Sequence, residues 1–157
     1  MSIKMDRDIY VDRIDCYINE TGDKGQICVL STAGSGVALD NTSQLVTIAA
    51  APSGKVVAGV LMQEVVDIDS TREFLNTQKD QVDKGGKVNL AKKGWIVTDN
   101  VEGNITAGEK AYVGESGQFA NETAMLTIGA ISDFQEIGRF DTSKDENDYV
   151  RITLEIV

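Results

Sequence analysis

The sequence contains no histidine, one proline, one tryptophan and two cysteines among its 157 residues. Without histidine the chain has no Ser–His or Cys–His catalytic pair and no histidine-containing metal site. Carboxylate chemistry remains open to it, but aromatic residues make up only 6% of the chain, which leaves little material for a sugar-stacking cleft. We therefore expect a protein that is not an enzyme and that needs no cofactor or metal.

The two cysteines, Cys16 and Cys28, lie in different predicted strands and do not form a Cys-x-x-Cys motif. Two thiols in a chain of this length favour small core residues of a reducing cytoplasm, although a disulfide between them stays open. No window approaches the roughly 18 apolar residues that a membrane span requires. Charged residues between Asp6 and Asp15 interrupt the N-terminal segment, so we expect neither a signal peptide nor a membrane anchor there.

Acidic residues dominate the charge: 25 Asp and Glu against 15 Lys and Arg give a net charge of −10. This balance opposes binding to a phosphate backbone, which requires clustered cations, and it makes free copies repel one another. We expect no nucleic-acid and no membrane partner. A local basic patch, Lys84, Lys87, Lys92 and Lys93, is either a solvated rim or a surface complementary to an acidic neighbour such as another copy of the chain.

Short apolar segments cut by Gly, Asn and Asp turns fill the chain. The clearest is the last one, where Val150, Ile152, Leu154 and Ile156 alternate with polar residues as in a half-buried strand. Further strands are predicted at 14–19, 27–30, 44–51, 87–92, 94–99, 110–114 and 125–131, and one or two strands are favoured over a competing helix at 55–69. Because the turns recur at roughly 8 to 12 residues, we predict an all-β fold, a small β-sandwich or barrel-like module with little helix.

The predicted organisation is an extended N-terminal arm, residues 1–13, followed by one β domain, residues 14–157. Residues 70–82 begin with a capping box but have a poor helical stripe, which favours an extended segment over a short helix. The glycine-rich segment 33–36 lacks the Gly-Lys-Ser/Thr of a phosphate loop. The acidic clusters 67–69 and 145–148 do not match a calcium loop and are interpreted as solvated turns.

Six residues are candidates for an interface with a neighbouring subunit. Ile9, Tyr10 and Val11 place apolar side chains among the charges of the arm, and Lys92 and Lys93 belong to the basic patch. Trp95 is the sixth. As the only tryptophan it is either a core residue, which is slightly favoured, or an interface anchor.

Two segments resemble the small capsid decoration, or cement, proteins of tailed bacteriophages: FLNTQKDQVDKGGKVNLAKKGWIVTD at 74–99 and IGRFDTSKDEND at 137–148. The same group has a turn of the Ala-Gly-Glu type leading into an apolar strand, here Ala107-Gly108-Glu109 before Lys110–Val113. It also tends to have an Ile-Gly segment before the last strand, here Ile137-Gly138-Arg139-Phe140. The likeness covers the C-terminal half of the chain.

The resemblance implies a β-sandwich or barrel on the outer surface of a phage head, assembled in the host cytoplasm. It implies the major capsid protein and other copies of the chain as partners, commonly as a trimer that clamps neighbouring capsid subunits. An arm that reaches over a neighbouring subunit is frequent in this group. The alternatives are another virion part (tail, neck or head fibre), a soluble carbohydrate- or small-ligand-binding β domain and, last, a hydrolase.

Overall fold

The computed structural model describes residues 3, 9–32, 44–64 and 81–157. The predictions for the glycine-rich segment 33–36, for the aspartates at 67 and 69, and for residues 70–80 lie outside the described residues. The last two positions of the 70–82 segment form a short strand.

Twelve strands and one α-helix make up most of the described chain, so the all-β prediction is confirmed. The strands are β1 (Ile9–Ile18), β2 (Gly22–Asp23), β3 (Ile27–Leu30), β4 (Gln44–Ile48), β5 (Val57–Glu64), β6 (Gln81–Val82), β7 (Lys87–Thr98), β8 (Val101–Glu102), β9 (Lys110–Val113), β10 (Phe119–Ala120), β11 (Glu136–Phe140) and β12 (Val150–Glu155). The helix, α1, spans Glu122–Ile128.

Five strands close into a ring. β1 pairs with β4 in parallel, and the antiparallel pairs β4–β3, β3–β5, β5–β7 and β7–β1 complete the circle. Closure of this kind pairs strand edges that would otherwise be exposed. The interior of the ring is filled by a buried cluster that includes Cys16, Ile18, Cys28, Val46, Leu61, Val88 and Leu90.

The sheet continues beyond the ring from β7 through β12, β11, β9, β10 and β8. A second and larger core lies between this extension and the outside of the ring. The ring contributes Ile27, Val29, Val57 and Val60 to this core, and the extension contributes Ile96, Ile137, Phe140, Ile152 and Leu154. The alternation predicted for the last strand is confirmed, because its apolar residues are buried and its polar residues exposed.

β7 is one continuous strand of 12 residues rather than the two segments predicted at 87–92 and 94–99. A bulge at Lys92 divides it, because Val11 pairs with Lys93 while Asp12 pairs with Ala91. One extra residue reverses which side of the sheet the following side chains face. Ala91 before the bulge and Ile96 after it both enter the second core. Residues 93, 95 and 97 are consequently turned outward.

The strand predicted at 125–131 is wrong, because the chain forms α1 there. The Asn121 side chain accepts a hydrogen bond from Ala124 N at 3.0 Å, which caps the helix N-terminus. Met125 is the buried residue of this helix. The helix ends at Gly129, and a short 3₁₀ turn follows at Ile131–Asp133.

Strand β1 begins at Ile9, inside the segment predicted as an arm. Residues 9–13 pair with β7 of the same chain, and Ile3 forms an isolated antiparallel bridge to Thr98. Ile3 is also a buried member of the second core. The boundary at residue 14 therefore does not coincide with the start of β1, and a role of residues 1–13 as an arm stays a prediction.

Candidate interaction surface

The outer side of β7, β12 and β11 carries cross-strand rows of solvent-facing residues. Val11, Lys93 and Glu155 form one row, in which Val11 and Glu155 each lie opposite Lys93 on either side of β7. The next row joins Trp95, Thr153 and Arg139, and the third joins Val97 to Arg151. We call this surface the open face, defined by Val11, Lys93, Trp95, Val97, Arg139, Arg151, Thr153 and Glu155.

All six predicted interface residues lie at one end of the β1–β7 pair. Ile9 is opposite Trp95, Tyr10 is opposite Gly94, and Val11 is opposite Lys93. Lys92 is the bulge residue beside them, and Val11 is 66% exposed. The six residues grouped as interface candidates from the sequence thus lie close together in the fold. Their contact with a partner stays a prediction.

Trp95 is half-buried on the open face and is absent from the buried core, so the slightly favoured interpretation as a core residue is wrong. The Arg151 guanidinium lies 4.2 Å from the centre of its ring. Asp141 Oδ2 accepts hydrogen-bonding contacts from Arg151 Nε at 3.1 Å and from Thr153 Oγ1 at 2.7 Å. These contacts hold the guanidinium against the indole, and an aromatic side chain held in one orientation loses less entropy on binding.

Arg139 and Arg151 are open-face residues that the sequence did not single out. Arg151 occupies a polar position of the predicted last strand, and Arg139 lies in the Ile-Gly segment that precedes that strand; neither position carries a local signal for an interface. Their meeting with Lys93 depends on the register of β7, β12 and β11, and that register is a long-range property. Conversely, Lys87 lies opposite Tyr17 at the far end of β7, roughly 20 Å along the strand from Lys93. The predicted basic patch is therefore divided between the two ends of β7.

A groove of about 500 Å³ borders the open face beside the β11–β12 loop. Trp95, Val97 and Arg151 line one side of it, and the loop residues Thr142, Ser143, Asp145 and Tyr149 line the other. Asp145 Oδ1 accepts hydrogen bonds from the backbone N–H of Asn147 at 2.8 Å and of Tyr149 at 2.9 Å. The acidic cluster is therefore an ordered turn, and the described residues contain no group of three or more His, Cys, Asp or Glu suited to a metal ion.

A second region of exposed aliphatic side chains lies at α1. Leu126 is 58% exposed and Ile128 38% exposed, and Val56 in the loop before β5 is 57% exposed. Hydrogen bonds join this loop to the segment after α1: Gly54 N donates to Asp133 O at 2.9 Å, and Val57 N donates to Gln135 Oε1 at 2.9 Å. We call these three residues, Val56, Leu126 and Ile128, the helical tip; Leu126 and Ile128 are two positions apart on the helix and face different directions.

The titratable groups with shifted pKa values are either buried in the packed interior or paired with another side chain at the surface. Cys16 and Cys28 are both buried and are not joined by a disulfide, which confirms the core interpretation. Burial raises the pKa of the Cys28 thiol, and a thiol kept neutral in this way is chemically inert. The hydrogen bond to Glu136 at 2.8 Å raises the pKa of Lys110, and burial raises the pKa of Tyr112. In the part of the chain that the structure describes, no helix is long and apolar enough to cross a membrane.

Comparison with known families gives one result that spans the fold. The sequence model of a phage protein family, described as structural cement protein (E217 gp24/Pam3 gp6), matches residues 11–155. The match runs from within β1 to the end of β12 and so includes most of both cores and every residue of the open face. A search of curated proteins found no match.

Proposed function

Because the chain belongs to the phage structural cement protein family, we propose that it binds the outer surface of the capsid and clamps neighbouring major capsid subunits. The match over residues 11–155 is the observation that carries this proposal, and it makes the role of the protein a structural one in the virion. We further propose that the protein acts as a trimer and has no enzymatic activity. Its net charge of −10 is unfavourable for contact with nucleic acid.

Two separate contact regions support a clamp. Copies that bind one another through one surface and a capsid subunit through the other would join neighbouring capsid subunits, and weak contacts add up when they engage together. The open face presents an ordered tryptophan with charged neighbours, and the helical tip presents aliphatic side chains. We assign the helical tip to the capsid subunit, because the charges of the open face are better matched to another copy of the chain.

The test uses heads of the cognate phage assembled without this protein. Added protein is expected to co-sediment with these heads to saturation and to raise the temperature at which they rupture. The double variant Leu126→Asp/Ile128→Asp is expected to lose most of the binding, since buried carboxylates at an apolar contact are strongly unfavourable. Thr123→Asp, an exposed position on the same helix, is the matched control.

Two results would count against the proposal. Wild-type protein that neither binds such heads nor protects them would refute the cement function itself. Unchanged binding by the Leu126/Ile128 variant would refute only the assignment of the helical tip. Thermal melting of the free variants shows whether a loss of binding reflects unfolding.

A further inference from the structure

The open face differs in charge from the rest of the protein. Its defining residues include three cations, Lys93, Arg139 and Arg151, and one carboxylate, Glu155, and the Asp141 carboxylate contacts Arg151 and Thr153 there, so cations still exceed carboxylates on a chain with a net charge of −10. Most approaches of one copy to another therefore bring like charges together and are repulsive. The open face is a surface at which an acidic molecule, including a second copy, is attracted instead.

A surface with the opposite character lies at the edge of this face. The β11–β12 loop exposes Asp145, Glu146 and Asp148. The one nearby cation of the loop, Lys144, lies 3.9 Å from Asp148 Oδ1. The loop has a fixed shape, because Asp145 N donates to Tyr149 O at 3.0 Å and the Asp145 carboxylate accepts two backbone hydrogen bonds in return. It can therefore enter a contact without first losing conformational freedom.

Two of the three cations of the open face are held in place. Arg151 is fixed by Asp141 and by the Trp95 ring, and Arg139 Nη1 donates to Gly108 O at 3.1 Å. Among the described residues, the ion pairs at this surface join Arg151 to Asp141 and, at its edge, Lys110 to Glu136. Lys93 and Arg139 lie outside both pairs. They are thus the cations with most to gain from a carboxylate supplied by a partner.

We propose that the occupant of the open face is a second copy of this chain, whose acidic loop, residues 145–148, docks against Lys93 and Arg139 and covers Trp95. For the trimer of the proposed function the contact is repeated head-to-tail, and such contacts close into rings when the rotation permits. The inference deepens the proposed function, since it supplies the contact that a cement trimer would use. It predicts association in solution, without the capsid.

The experiment measures the oligomeric state by sedimentation velocity at roughly 50 mM and roughly 500 mM sodium chloride. Wild-type protein is expected to form a closed oligomer that dissociates as salt rises. Lys93→Glu/Arg139→Glu is expected to raise the dissociation constant at least about tenfold, because it turns attraction into repulsion. The control, Lys84→Glu/Lys87→Glu, makes the same charge change in and beside the turn before β7 and is expected to behave as wild type.

Restoration by a second charge reversal tests the pairing itself. Glu146→Lys alone is expected to weaken association, and adding it to the Lys93/Arg139 variant is expected to recover at least about threefold in affinity. Emission of Trp95, the only tryptophan, is expected to shift to shorter wavelength on association, because the indole leaves water. A variant that loses association is expected to lose this shift as well.

Three outcomes would overturn the inference: wild-type protein that stays monomeric up to roughly 0.5 mM at low salt, a Lys93/Arg139 variant that associates like wild type, or a combined variant that recovers nothing. Head binding is measured on the same samples. A monomeric wild type that still binds heads refutes this inference and leaves the proposed function standing. An oligomer that never binds heads refutes the proposed function and leaves this inference standing.

Discussion

Gly138 is the position at which a single added methyl group is expected to do most damage. It lies in β11, opposite Leu154 of β12, and a Cβ built on it would lie 2.0 Å from Thr153 O. An ordinary contact at that position begins at 3.4 Å, so the two strands would have to separate by about 1.4 Å. Both contacting groups are backbone, so no side-chain rotation relieves the clash.

The expected loss of stability follows from the interactions that this separation of β11 and β12 breaks. Loss of two ladder hydrogen bonds costs about 2 kcal/mol, and strain around the buried neighbours Ile137 and Phe140 costs about 1–3 kcal/mol more. We therefore expect Gly138→Ala to lower the free energy of unfolding by about 3–5 kcal/mol, out of the roughly 5–15 kcal/mol typical of a domain. This corresponds to a fall in Tm of roughly 6–20 °C.

Gly54→Ala provides the matched control, measured by urea and thermal unfolding alongside. Gly54 also has a positive φ, 67°, but a Cβ there meets nothing within 4 Å. Its substitution therefore reports only the strain of an L-residue held at a positive φ, about 1 kcal/mol. Equal destabilisation by the two substitutions would refute the steric argument. A larger effect at Gly138 would give a physical reason for the Ile-Gly segment on which the family resemblance rested.

Two further predictions concern stability. Burial raises the pKa of the Cys28 thiol in the folded protein above its ordinary value of 9.0. The contribution of the neutral thiol to the free energy of unfolding is therefore fully present below about pH 9. It is lost as the pH rises further, because only the unfolded chain ionises there. We expect urea-unfolding free energies of wild type to fall above about pH 9 more steeply than those of Cys28→Ala, by up to about 1.4 kcal/mol per pH unit; identical slopes would contradict this. Asn121→Ala removes the cap on Ala124 N and two further hydrogen bonds of a buried side chain, and is expected to cost about 2–3 kcal/mol. A loss no greater than that of the exposed Asn147→Ala would show that the cap is unimportant.

Local sequence patterns predicted what is local in this fold. The alternation around Ile152 and Leu154 fixed both the strand and its buried side, because strand side chains repeat with a period of two. The same reasoning failed at Met125, where a side-chain cap at Asn121 outweighed an apolar run that also suits a strand. Capping is a property of one residue and its neighbours, and the Asn preceding Glu122 was the signal available for it.

What the sequence could not provide was long-range pairing. Closure of the ring requires β1 to pair in parallel with β4 and antiparallel with β7, and no local pattern specifies either register. The open face shows the same limit. Lys93, Arg139 and Arg151 come from three strands that are far apart in the chain and become neighbours only through the order β7–β12–β11. The bulge at Lys92 decides that Trp95 faces outward rather than into the core.

The closed ring also bears on how the protein can assemble. β1 is paired with β7 along most of its length but with β4 only at residues 16–18, and among the described strands the extension ends on β8, which is two residues long. The β8 edge offers little for a partner strand to pair with, so strand addition at that end of the sheet is disfavoured. Contacts at the open face and the helical tip depend on side chains, and charge or size changes there are expected to alter affinity while the fold is kept. A cement protein built in this way can be tuned to its capsid by substitutions on these two surfaces, because side chains there can change without altering the backbone pairings of the sheet.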